Sequence, residues 1–203
     1  MSCSFPAETI ERVVLFHGHS CPGLSIGIRA AEYALQYFGD AGNGELVCIT
    51  ETDMCGVDAL QYLTGCTLGK GNLIHKDYGK MAFSFHHRPT AVGIRLRLRP
   101  ETRGEIDAEL APLQRAIGQG TATPKEHDRA KELRRMLVKR FMTLPLEALF
   151  DRQELETLPP RPAQILESLP CACCGEKTME SRTRRLGGQT LCIPCFLERE
   201  QKI

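Results

Sequence analysis

The sequence predicts an α+β core followed by a small cysteine-rich module at the C-terminus. Helical stretches with recognisable caps surround a short apolar run, LVCIT, that reads as a buried strand. Two further runs, KMAFSFHHR and AVGIRLRLRP, carry the alternation of paired strands. The ten cysteines form two groups, one from Cys3 to Cys66 and one from Cys171 to Cys195, with none in between. Two separate cysteine systems are expected.

The elements follow in order. Residues 7–17, AETIERVVLFH, place Ile10, Val13, Val14 and His17 at helical spacing. Ser20 reads as the N-cap and Pro22 as the first turn of a second helix, which runs to Gly39, a natural C-cap. LVCIT, residues 46–50, is the strand, and DMCGVDALQYLTG a short amphipathic helix ending at Gly65. CTLGKGNL is too rich in glycine to be regular. It also fails the phosphate-loop pattern: Thr64 stands where a glycine is required, and no Ser or Thr follows Lys70.

In the two alternating runs, Met81, Phe83 and Phe85 face away from Ala82, Ser84 and His86. Ile94, Leu96 and Leu98 likewise oppose Arg95, Arg97 and Arg99. Pro89 fits the connection, so the two runs are expected to pair antiparallel. The arginine row reads as a solvated sheet face. Glu105 to about Leu155 reads as helical, broken at GQGTATP and Pro145, with an apolar stripe of Leu133, Leu137, Phe141 and Leu144 for packing or a dimer seam. TLPPRPAQILESLP, with four prolines, reads as a linker. The expected organisation is a core over 1–156, a linker over 157–170 and a terminal domain over 171–203.

Composition excludes some functions. Net charge is +1 and the charged fraction 25%, so nothing global argues for nucleic acid or an anionic membrane surface. No apolar run approaches the roughly 20 residues of a membrane span. The N-terminus lacks a basic region followed by an apolar stretch, so a reducing cytoplasm is the expected compartment. There, abundant cysteine points to metal or thiol chemistry rather than disulfides.

The terminal cysteines are the strongest motif. Cys171 and Cys174, then Cys192 and Cys195, form C-x2-C, seventeen residues, C-x2-C. Each pair makes a knuckle, and two knuckles complete a tetrahedral thiolate shell for zinc. Four protein ligands leave no open position, so this zinc is structural. In CACC, Cys173 competes with Cys171, and the two-residue spacing favours Cys171. Arg182, Arg184 and Arg185 are too few for a nucleic-acid footprint.

At the other end, FHGHSCPG places His17, His19 and Cys21 across a break between helices. A thiol at a helix N-terminus feels the positive end of the dipole, and imidazoles beside it supply neutral nitrogen ligands. Cys55 and Cys66 flank the short third helix in polar, glycine-lined settings, with Asp53, Asp58 and Lys70 nearby. Cys48, inside LVCIT, reads as a small core hydrophobe. Packing alone is the competing reading for the others, and their polar settings argue against it.

HGHSCPG with GIRAA after it, then DMCGVDALQ, GCTLGKGNL and DYGKMAF, is an ordered set that resembles FmdE, a family of formylmethanofuran dehydrogenase subunits. The match is close over residues 10–100, and the helical stretch and ribbon match the family's longer members. The resemblance implies an α+β core with a mixed or antiparallel sheet flanked by helices. It also implies a homodimer and a metal-binding or catalytic cleft. In methanogens such a subunit accompanies a molybdenum or tungsten enzyme that interconverts carbon dioxide and formylmethanofuran. Carried over, His17, His19, Cys21, Cys55 and Cys66 are the core metal set. Asp53, Asp58 and Gln61 support it, and Lys70 and Asp77 are cleft residues.

Two functions compete. The favoured one is an oxidoreductase subunit or stand-alone enzyme acting on a small molecule. Its core holds a second transition metal, zinc first, with iron or nickel compatible with the mixed nitrogen and sulfur set. Cys21, His17, His19 and Asp53 are its catalytic candidates, and Lys70, Asp58 and Gln61 bind the ligand. The alternative is a zinc-ribbon regulator or assembly protein whose core senses a ligand or metal.

Overall fold

The computed structural model of the chain describes residues 3–39 and 45–200. Helix α1 is Ala7–His17, α2 Pro22–Phe38 and α3 Gly56–Thr64. Strand β1, Leu46–Thr50, lies between α2 and α3, and β2 (Leu73–His75), β3 (Ala82–His87) and β4 (Val92–Leu98) follow α3. After a short 3-10 turn come α4 (Gly104–Gly118), α5 (Pro124–Thr143), the single turn α6 (Leu146–Leu149) and β5 (Phe150–Leu155). The sheet order is β2-β1-β3-β4-β5. β2 runs parallel to β1 and every other neighbouring pair is antiparallel, which makes the sheet mixed, as expected.

The helices begin and end where local chemistry dictates. α1 stops at Gly18, whose φ of 95° is left-handed and whose N–H donates to Val14 O at 2.8 Å. α5 opens with a capping box, Thr123 and Glu126 satisfying each other's backbone N–H, with Pro124 at the first position. The expected stripe on α5 is core: Leu133, Leu137 and Phe141 are buried together with Phe83, Phe85, Ile94 and Leu96 of the sheet.

Arg29 ties α2 to the end of α5. Its guanidinium, 1% exposed, donates to Met142 O at 3.1 Å and Leu144 O at 2.7 Å, carbonyls left open by the ending helix.

Two expectations are corrected here. The segment Phe150–Leu155 is not helical but an edge strand, pairing with β4 so that Asp151 faces Arg97 and Gln153 faces Arg95. Its polar sequence hides it, because an edge strand is fixed by backbone pairing and cross-strand ion pairs. The glycine-rich segment is irregular only to Asn72, after which β2 adds a strand. Buried Asn72 organises that loop, accepting from Thr67 N at 2.9 Å and donating to Leu46 O at 3.1 Å.

The arginine row is solvent-facing in part and neutralised. Arg95 grips Glu51 with two hydrogen bonds of 2.6 and 2.8 Å, while Arg97 and Arg99 share Asp151.

The chain divides into two compact units at Pro162 and Ala163. In the second, β6 (Ser168–Pro170) pairs with β7 (Lys177–Met179), and β8 (Thr183–Leu186) with β9 (Gln189–Cys192), before α7 (Ile193–Glu200). The last three residues of the expected linker are therefore a paired strand. No helix among the described residues is long and apolar enough to cross a membrane.

Candidate metal centres

In the C-terminal unit, Cys171 follows β6, Cys174 lies in the tight turn closed by Gly175 N to Cys171 O at 2.9 Å, Cys192 ends β9 and Cys195 lies in the first turn of α7. The hairpin between β8 and β9 turns on Gly187 and Gly188, both at positive φ. All four sulfurs lie within 4.8 Å of one another. Backbone N–H groups, those of Cys174 first and Cys192 next, pull the Cys171 thiol down to about 6, so it is poised as thiolate. Cys173 is exposed and outside the cluster. The set is a closed thiolate shell, and such a shell holds structural zinc.

The core cluster is assembled by three helix ends. Gly18 reverses the chain after α1 so that His17 and His19 turn to the same side, their rings 4.5 Å apart. The cap of α2 is Cys21 itself rather than Ser20, its sulfur accepting from Leu24 N at 3.3 Å. Cys55 immediately precedes α3. Cys21 and Cys55 meet because α2 and α3 touch through glycine. A Cβ on Gly27 would fall 2.1 Å from Gly56 O, and one on Gly23 would fall 3.3 Å from Cys55 Cβ. The ligand atoms of His17, His19, Cys21 and Cys55 lie within 4.8 Å of one another. Metal bonds of about 2.0–2.3 Å put tetrahedral ligand atoms roughly 3.3–3.8 Å apart, so only a small contraction is needed.

His17 is held from one side only. Its Nδ1 lies 2.7 Å from Asp58 Oδ2, the geometry of an N–H donated to a carboxylate. Its Nε2 is buried and has no hydrogen-bond partner. A buried imidazole nitrogen without a partner, its other nitrogen held by a carboxylate, is the arrangement a metal-binding histidine needs. Gln61 Nε2 stands 3.5 Å from Asp58 Oδ1, at the outer limit of a hydrogen bond. Burial, and after it the neighbouring Cys21 sulfur, pushes the Cys55 thiol up.

The other expected site residues are elsewhere. Cys66 is fully buried in the main core, donating from sulfur to Leu46 O at 3.4 Å, beside Cys48. The reason is geometric: Cys55 and Cys66 flank opposite ends of α3, whose nine residues rise roughly 13 Å. One ion cannot reach both. Lys70 lies at that far end too, close to Gly65. Asp53 and Asp77 are exposed and bonded to none of the four ligands.

Reading by motif misses a feature beside the cluster. A pocket of about 400 Å³ is lined on one side by His19, Ser20, Cys21 and Pro22, and on the other by Lys131, Arg134, Arg135 and Val138 of α5. Its signal lies in KELRRMLV, where the three cations recur at helical spacing.

Comparison with known proteins agrees with this layout. The family model described as FmdE, molybdenum formylmethanofuran dehydrogenase operon, matches residues 16–151. The model of the prokaryotic dksA/traR C4-type zinc finger matches residues 164–201. A curated Archaeoglobus fulgidus protein, described as a probable S-adenosyl-L-methionine-binding protein, is 30% identical over 202 residues, covering 94% of this chain and 54% of the relative. The chain thus spans about half the length of that relative. A crystal structure of a tungsten formylmethanofuran dehydrogenase FmdE-like protein from Syntrophus aciditrophicus superposes with a TM-score of 0.60 at 25% identity, over 97% of this chain and 93% of that one.

Proposed function

Because the chain belongs to the FmdE family, whose model spans residues 16–151, we propose that its core is a metal-centred small-molecule site in an oxidoreductase subunit or stand-alone enzyme. His17, His19, Cys21 and Cys55 hold one transition ion, zinc first, with iron or nickel also compatible with the donor set. The observation that carries this reading is the convergence of donor atoms of His17, His19, Cys21 and Cys55 within 4.8 Å, in a cluster whose His17 Nε2 is buried and unpartnered. A divalent ion there would supply Lewis acidity toward a ligand oxygen.

The chain's own groups divide the remaining work. Asp58 fixes the tautomer and plane of His17 so that Nε2 is the ligand atom. Cys21 presents its sulfur at the start of α2, where it accepts from Leu24 N at 3.3 Å and is held facing the cluster. His19, exposed at the pocket mouth, is the ligand able to exchange for a substrate atom and to take up its proton.

The relative's name raises S-adenosyl-L-methionine as a ligand. That molecule carries a carboxylate, which the wall of Lys131, Arg134 and Arg135 suits, and a sulfonium and an ammonium, which must lie away from it. Membership in a larger molybdenum or tungsten enzyme complex and a homodimer belong to the same reading. Phe16 and Tyr62, with ring centres 5.7 Å apart, stay 56% and 40% exposed and suit a protein contact. The C4 zinc finger favours one alternative, a regulatory or assembly protein that docks through its ribbon.

Metal analysis tests the proposal. The full chain should carry two metals, and Cys21→Ala with Cys55→Ala should remove one. A single zinc untouched by that double change would sink it.

A further inference from the structure

The pocket beside His19 and Cys21 has an unusual far wall. Lys131, Arg134 and Arg135 stand at i, i+3 and i+4 on α5, so they share one face, with Val138 a turn further along. Lys131 and Arg135 form a like-charge i, i+4 pair, which weakens a helix instead of supporting it. Nearby on the same helix, Arg129 is held by Glu109 at 2.5 and 2.9 Å and by Glu132 at 2.7 Å. Among the described residues, Arg134 and Arg135 form no ion pair, and Lys131 reaches only Asp128 at 3.3 Å, where both groups are exposed. The arginines of β4 differ, since each is already answered by Glu51 or Asp151.

A divalent ion bound to two thiolates is neutral, so the core metal would leave this wall uncompensated. The missing negative charge has room to arrive as a ligand, because about 400 Å³ lies within the range of small-molecule sites. We propose that this pocket binds a small oxyanion, its carboxylate or phosphate group on Lys131, Arg134 and Arg135 and the rest of the molecule directed toward His19 and Cys21. The inference deepens the metal-site reading and rests on it for the direction in which the ligand points. Val138 and Pro22 supply the apolar flank for its carbon skeleton.

The test titrates the metal-replete full chain calorimetrically with inorganic phosphate and, separately, with malonate, each against sodium chloride at matched ionic strength. Saturable binding of at least one is expected, and the tighter of the two identifies the head group. Arg134→Gln with Arg135→Gln should weaken it roughly tenfold or more while leaving the metal content unchanged. Lys131→Gln, a single change at an exposed side chain, should weaken it in the same direction and guards against a folding defect in the double variant. No saturable binding with either anion, or unchanged affinity in these variants, overturns the proposal. Metal content is read on the same samples, so the readings fail separately. A metal-loaded chain that ignores anions defeats only the anion site. A chain without core metal that still binds them defeats only the metal site.

Discussion

His17 owes its role to Asp58, 41 residues further along the chain, and the two meet because α1 and α3 lie side by side. Replacing Asp58 with Asn keeps the shape and removes the charge that orients the ring, so the core metal should bind roughly 10–100-fold more weakly, with the ribbon metal unaffected. Competition with a colorimetric chelator measures both. Cys66 supplies the opposite prediction: Cys66→Ala should retain both metals and cost about 1–2 kcal/mol in denaturant unfolding, the effect of a small cavity in the core. Loss of a metal in that variant would return Cys66 to the site. At this scale the sequence is legible where a motif is compact. His17, His19 and Cys21 lie within five residues, and a turn brings them together without help. Cys66 defeats such a reading because its glycines suggest exposure, whereas Gly65 turns the chain inward beneath β1.

Between elements, the glycine contact of α2 with α3 decides whether the two sulfurs meet. Gly27→Ala places a methyl against Gly56 O, so the helices must part. Overpacking of this kind costs about 1–3 kcal/mol, and separation of Cys21 from Cys55 should also release the core metal. Unfolding midpoints and metal content of that variant check both. Glu51 and Arg95 join the β1 end to β4, and Arg95 holds the Glu51 carboxyl below its ordinary range. A lowered carboxylate stabilises the fold above the unfolded value, near 4.3, and loses that contribution as pH falls through the folded value. Glu51→Gln should therefore cost about 1–3 kcal/mol at pH 7, with the difference from the parent shrinking below about pH 4. A constant difference across that range would contradict the assignment. Capped helices and the apolar strands β1, β3 and β4 are readable because their side chains do the folding. β2 and β5 are not, since one is three residues long and the other is an edge strand rich in charge.

Over the whole molecule, the cysteines fall into two groups separated by the gap between Cys66 and Cys171, and the chain divides into two compact units at Pro162 and Ala163. The ribbon has little apolar surface of its own, so its metal supplies much of its folding free energy. KELRRMLV shows only one wall of the pocket, because the pocket joins the α1–α2 junction to α5, more than a hundred residues later. The central claim is the mixed nitrogen and sulfur site in the core, and X-ray absorption of the zinc-loaded full chain tests it most directly. Averaged over one four-sulfur and one two-nitrogen, two-sulfur site, each zinc should see three sulfurs and one nitrogen, and Cys21→Ala with Cys55→Ala should leave four sulfurs on a single remaining zinc. A purely sulfur shell in the unaltered chain, with one zinc per molecule, would contradict it.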